Sequence, residues 1–175
     1  MSFALIIQGT SASGKTTAAR KIAADKKACY LESDYFVFGI QPFRPLEKEH
    51  VALGVQHIWS CFTNVVEAKE NIVLEGALVD INSGVDRPFL EKYISHLEKH
   101  NYNILRIVLV STLEEAKKRM TTRVVWDGHT GVVDEQTYRK ILAEIEKTVP
   151  KTVSRIDTTH MNTDDVVSKI QETVF

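Results

Sequence analysis

The sequence predicts an α/β fold in three layers, a five-stranded parallel sheet with helices on both faces and a short lid. Three observations carry that expectation. Short continuous apolar runs, the pattern of strands buried on both faces, alternate with longer stretches whose apolar residues recur every three or four positions, as in amphipathic helices. A glycine-punctuated loop joins the first such run directly to the first helical stretch. Gly9, Asp34, Glu75 and Thr158 each fall at or just past the end of an apolar run, the edge where a parallel sheet with right-handed crossovers gathers its ligand-binding residues.

The elements follow in order. Phe3-Ala4-Leu5-Ile6-Ile7 is the first strand, and the helix from Lys15 to about Ala24 carries Ala18, Ala19, Ile22 and Ala23, a small-residue face suited to close packing on a sheet. Ala28-Cys29-Tyr30-Leu31 is the second strand, after which the chain leaves the sheet through Glu32-Ser33-Asp34-Tyr35-Phe36. The two prolines of Gln41-Pro42-Phe43-Arg44-Pro45 make that segment irregular, a loop over the site. From about Leu46 to Ala68, Val51, Val55, Ile58, Phe62 and Val65 mark one long amphipathic helix, with Trp59 in its core face. Ile72-Val73-Leu74 is the third strand and ends in Glu75-Gly76; a polar connection from Asp80 to Asp86 turns at Gly84. Pro88 opens a helix reaching about His100, in which His96 and His100 share a surface face. The fourth strand, Ile104 to Val110, leads to Ser111 or Thr112 as cap of a helix with Glu114 and Glu115 in its first turn, where the helix dipole favours them. Trp126-Asp127-Gly128-His129-Thr130-Gly131 is the turn-rich centre of the lid, about 124–133. Asp134 to about Lys147 is helical, Val153 to Ile156 is the fifth strand, and Thr163 caps the closing helix.

The loop Gly9-Thr10-Ser11-Ala12-Ser13-Gly14-Lys15-Thr16 has the spacing of a phosphate-binding P-loop, and with it the fold expected is the three-layer P-loop NTPase fold. Gly9 and Gly14 leave backbone N–H groups open to an anion, and the following helix adds its positive end, with Thr17 in its first turn. Lys15 reaches the β- and γ-phosphates, while the Thr16 hydroxyl suits a Mg²⁺ that bridges them. The ligands expected are therefore ATP and Mg²⁺.

Composition narrows the partners. A chain of 175 residues suits a single domain, 1–175, that buries about 70% of its unfolded surface. With 22 basic against 23 acidic residues there is no global charge to attract nucleic acid or an anionic membrane, so nucleic acid is not an expected partner. Cys29 and Cys61 lie in apolar patterns without disulfide or CxxC spacing, and no run approaches the ~20 apolar residues of a membrane span; a cytoplasmic protein is expected. Monomer and homodimer are equally compatible with these features.

The P-loop alone admits kinases, GTPase switches and mechanical ATPases. No DxxG follows the third strand and no NKxD occurs, which disfavours GTP switching, and the chain has no length for the oligomerising domains of a mechanical ATPase. Through GTSASGKT at the first strand end, ESDYF after the second, IVLEG at the third, Arg119 and Arg123 around the lid and IDTTH at the fifth, nearly the whole chain resembles the small P-loop kinases. That group includes nucleoside and nucleotide kinases, shikimate and gluconate kinases, the polynucleotide kinase domain and chloramphenicol phosphotransferase. The DTTH tetrapeptide at 157–160 looks most like the last of these. The resemblance implies transfer of the γ-phosphate of ATP to a small molecule.

Asp34 is the candidate base. An alcohol loses its proton as its oxygen attacks the γ-phosphorus, and a carboxylate within reach accepts it. The alternative is a capping aspartate without chemical role. Glu75 holds a water on the Mg²⁺ or orients the acceptor, where many relatives use aspartate; its alternative is an ordinary strand-end ion pair. Tyr35, Phe36, Arg44 and Gly76 join Asp34 and Glu75 as candidate acceptor contacts. In similar kinases the residue matching Arg119 stacks on adenine and that matching Arg123 grips the transferring phosphate, while Thr158, Thr159 and His160 line the adenine edge. Lys117 and Lys118 leave a solvated basic face as the other reading of the two arginines. A nucleoside monophosphate kinase would need clamping arginines for its anionic acceptor, and between Asp34 and Arg87 only Arg44 is available, so an alcohol acceptor is favoured. A regulatory nucleotide-binding ATPase is the alternative outside the kinases.

Overall fold

In a computed structural model, which describes residues 1–38, 48–78, 90–121 and 134–175, strands alternate with helices. The elements are β1 (Phe3–Gly9), α1 (Lys15–Lys26), β2 (Cys29–Glu32), α2 (Ser33–Phe38), α3 (Lys48–Glu67), β3 (Ile72–Gly76), α4 (Leu90–Lys99), β4 (Asn103–Val110), α5 (Leu113–Thr121), α6 (Glu135–Thr148), β5 (Ser154–Asp157) and α7 (Thr163–Val174). The five strands form one parallel sheet in the order β2-β3-β1-β4-β5. β1 is central, pairing Ala4 with Ile72 of β3 on one side and Ile104 of β4 on the other.

Alternation along β1 divides the core in two. Leu5 and Ile7, with Val73, Ile107 and Leu109, face Ala18, Ala19 and Ile22 of α1 and Val166, Val167 and Ile170 of α7. Alanines let α1 lie close to the sheet, and Ala18 and Ala19 are fully buried. On the opposite face Ala4, Ile6, Ile72 and Leu74 meet Ile58, Phe62 and Val66 of α3 and Leu90, Tyr93 and Leu97 of α4. Trp59 packs edge-on against Tyr93, as expected of a core residue, and His96 packs against Trp59 rather than lying on a surface face.

Several boundaries differ from the sequence expectation. After β2 the chain turns at once into α2, an element the sequence reading did not include, with Asp34 in its first turn. Asn162, not Thr163, caps α7, because Asp165 three residues on reciprocates: the Asn162 side chain accepts from the Asp165 N–H at 3.0 Å and the Asp165 carboxylate accepts from the Asn162 N–H at 3.4 Å. β5 begins at Ser154 because Val153 packs instead against the Val108, Ile141 and Ile145 cluster beneath α6. Of the two candidate caps for α5, Thr112 accepts from the Glu115 N–H. The proline-containing loop, the 80–86 connection, the opening of the helix at Pro88 and the lid lie outside the described residues.

β1 and β4 leave no room for a side chain at Gly9. A Cβ there would stand 2.0 Å from the Leu109 carbonyl oxygen, a backbone atom that cannot rotate away. Gly9→Ala should therefore force the strands apart at the loop entrance and lower stability by about 1–3 kcal/mol or more, read as a fall in the denaturant midpoint. A midpoint within error of the parent would show that the loop entrance tolerates a side chain.

Candidate functional site

The loop at 9–16 is built around one carbonyl. The Thr10 oxygen accepts from Ser13 Oγ at 2.9 Å and from Lys15 Nζ at 2.8 Å, which curls the chain and draws Lys15 inward to 9% exposure. Gly14, in the left-handed region at φ 89°, caps α1 without a side-chain acceptor, and no acidic residue stands in the first turn. The first N–H groups of α1 and its positive end are thus left for an anion. Ser11 and Ala12 form the half-exposed outer part of the loop, and Thr17 is exposed on the first turn of α1.

Behind the loop stands Glu75, 2% exposed at the end of β3. Its Oε1 accepts from Thr16 Oγ1 at 2.9 Å, so the two residues expected at a metal site meet. Burial pushes the Glu75 carboxyl above its ordinary range; Lys15 and the Thr16 hydrogen bond oppose that, while Asp34 and Glu32 add to it. Asp34 lies in the first turn of α2, whose start packs on Gly76, where a Cβ would lie 1.9 Å from Ser33 Oγ. Hard oxygen donors suit Mg²⁺, which takes one or two protein oxygens and completes its octahedron with phosphates and water. Among the described residues there is no cluster of three or more His, Cys, Asp or Glu able to hold a metal.

Three residues at this corner were given no functional role in the sequence reading. The Tyr30 hydroxyl lies 2.8 Å from Glu32 Oε2 and 3.0 Å from Glu75 Oε1, and Arg20 pairs with Glu32 at 2.9 Å. Burial, with the carboxylates, pushes the Tyr30 phenol far above its ordinary value, which keeps it a donor. The signal was available: Tyr30 and Glu32 are two apart on a strand and so share a face, while Thr16 and Arg20 are four apart on a helix.

On the other side of the loop, Arg119 is wedged between elements. Its Nε donates to Glu115 Oε1 at 3.0 Å, one terminal nitrogen to the Ala12 carbonyl at 3.2 Å, and the other to the carbonyls of Thr158, Thr159 and Met161. Thr158 is fully buried and its hydroxyl reaches the Ser13 carbonyl at 3.0 Å. Thr159 hydrogen-bonds Asp157 and lies half-buried, and these bonds hold the Asp157 carboxyl below its ordinary range. His160 is exposed. Arg119 and Thr158 thus hold the phosphate loop to the β5–α7 connection. Phe36 packs against the α3–α4 core cluster. Arg44, Arg123 and the Tyr35 side chain lie outside the described residues.

A family model described as an AAA domain matches residues 5–148. The chain belongs to that family. The AAA domain match takes in the phosphate loop, Glu75 and Arg119 and ends before Thr158. No curated protein sequence matches the chain significantly. Among solved structures, a sugar kinase from a Janibacter species is similar at 17% identity and a TM-score of 0.64, covering 98% of this chain and 94% of its own. Shikimate kinase from Acinetobacter baumannii, in complex with shikimate, is similar at 16% identity and 0.62, covering 99% and 93%. Thymidylate kinase from Candida albicans is similar at 15% identity and 0.61, covering 98% and 90%. These likenesses bear on fold. They agree with the P-loop kinase architecture expected from the sequence. No helix among the described residues is long and apolar enough to cross a membrane.

Proposed function

We propose that this AAA domain protein is an ATP- and Mg²⁺-dependent kinase that transfers the γ-phosphate to a hydroxyl of a small molecule. The observation that carries the reading is the Thr16–Glu75 contact of 2.9 Å at the mouth of the phosphate loop. The acceptor oxygen attacks the γ-phosphorus while the bond from that phosphorus to the β–γ bridging oxygen breaks. The electron pair leaves with ADP, and the hydroxyl proton passes to a carboxylate oxygen of Asp34. Mg²⁺ would supply charge neutralisation across the β- and γ-phosphates, held by the Thr16 hydroxyl with Glu75 behind it. The loop N–H groups and Lys15 bind the phosphates, and the Arg119 guanidinium, whose edge is engaged by protein acceptors, offers its face to the base. Arg123, Arg44, Tyr35, Phe36, Gly76, Thr159 and His160 complete the proposed contacts to nucleotide and acceptor. Free Cys29 and Cys61 suit a cytoplasmic location.

Thymidylate kinase among the structural neighbours gives the rival reading, a phosphate acceptor, its specific support. ADP formation measured against nucleosides, nucleotides, sugars and hydroxylated antibiotics separates the two. Stimulation by an acceptor that carries a free hydroxyl and no phosphate is expected. Stimulation by nucleoside monophosphates alone would establish the rival, and an unstimulated slow hydrolysis would point to a regulatory ATPase.

A further inference from the structure

Glu75 has three rotatable bonds between backbone and carboxylate, so contacts that fix its Oε1 bear on the hydrogen bond it accepts from Thr16. The sheet register supplies one such contact. Glu32 is paired with Glu75 and Tyr30 with Val73 across β2 and β3, which aims Tyr30 and Glu75 at the same side of the sheet, over α1. There the Tyr30 hydroxyl stands 3.0 Å from Glu75 Oε1, the same oxygen that accepts from Thr16 at 2.9 Å. The ring is itself fixed: it packs on the buried cluster that includes Leu5 and Val73, and the Arg20 guanidinium carbon lies 5.5 Å from its centroid. Its hydroxyl has one proton for two carboxylates, Glu32 Oε2 at 2.8 Å and Glu75 Oε1; Glu32 also accepts from Arg20 at 2.9 Å, and the role argued here is donation to Glu75.

We propose that Tyr30 is a positioning residue for the divalent-cation site, pinning Glu75 so that Thr16 directs its proton to Glu75 Oε1 and its lone pairs toward the cation. Thr16 has one proton. With that proton committed to a fixed oxygen, the hydroxyl presents its free lone pairs in one direction; with Glu75 free to swing, it does not. Tyr30 touches neither nucleotide nor acceptor in this role and acts only through Glu75. The inference rests on the kinase reading, because it needs Mg²⁺ at Thr16.

The test is a double-mutant cycle on nucleotide binding, without turnover. The affinity of a non-hydrolysable ATP analogue is measured in Mg²⁺ and in EDTA, and their ratio is the metal coupling. Tyr30→Phe keeps the packed ring, so analogue affinity in EDTA should match the parent while the metal coupling falls by about tenfold, the lower end of what losing an outer-shell partner of a metal ligand costs. In a Glu75→Gln background, where coupling is already reduced, adding Tyr30→Phe should change it by less than about twofold. Glu32→Gln, which leaves the Tyr30–Glu75 contact in place, should keep most of the coupling. Unchanged coupling in Tyr30→Phe, an equal further loss in the Glu75→Gln background, or a loss in Glu32→Gln as large as that in Tyr30→Phe would each overturn the assignment while leaving the kinase reading intact. A wild-type protein whose analogue binding ignores Mg²⁺ would overturn the kinase reading and this inference with it.

Discussion

Asp34→Asn should bind ATP as the parent does and transfer phosphate ~10² to 10⁴ times more slowly, the range typical of losing a general base. The amide nearly preserves shape, and Asp34 sits in the first turn of α2, where the close packing of Ser33 on Gly76 fixes its backbone without help from the carboxylate. The substitution therefore removes proton acceptance more than it removes structure. If the acceptor were a phosphate, already ionised near neutral pH, no base would be needed. The same change would then appear as weaker binding of Mg·ATP or acceptor alongside any loss of rate. Turnover and ATP affinity, measured with the acceptor found in the panel, decide the matter. A fall smaller than about tenfold removes Asp34 from the base role.

Lys15→Ala should lower turnover at saturating ATP by about 10²- to 10³-fold, as expected for losing a charge aimed at oxygens that grow more negative in the transition state. Lys15 is nearly buried and its ammonium is held at the Thr10 carbonyl, 2.8 Å away, inside the loop proposed to bind the phosphates. A cation so placed has little reorganisation to make when the β–γ bond lengthens. The variant also deprives Glu75 of the nearby positive charge that favours its ionised form, so weaker Mg²⁺ dependence should accompany the lower rate. Wild-type turnover under saturating Mg·ATP would strip the loop of its catalytic role.

The parallel sheet, the loop at 9–16 and the strand-end positions of Glu75 and Thr158 were legible in the sequence because each depends on local chemistry. Continuous apolar runs report strands covered on both faces, and a lysine followed by a hydroxyl after two spaced glycines reports a backbone shaped for phosphate. Asp34 was legible as a residue beyond β2 but not as part of a helix, since six residues are too few for helical periodicity to show. The cap at Asn162 was missed because Thr163 is also a favoured cap residue; the reciprocal bonds with Asp165 fix the cap at Asn162.

What the tertiary structure decided is which distant residues meet. The order β2-β3-β1-β4-β5 inserts β3 between the first two strands, and that brings Tyr30 and Thr16 to one Glu75 oxygen. It also sets β5 beside β4, so that Arg119 of α5 reaches both Ala12 and Thr158. Strand order follows from how helices of given length and face cover a sheet, a sum over the whole chain. Residue types and spacings determined the chemistry this protein can support; the crossovers determined which carboxylate, hydroxyl and guanidinium are close enough to carry it out.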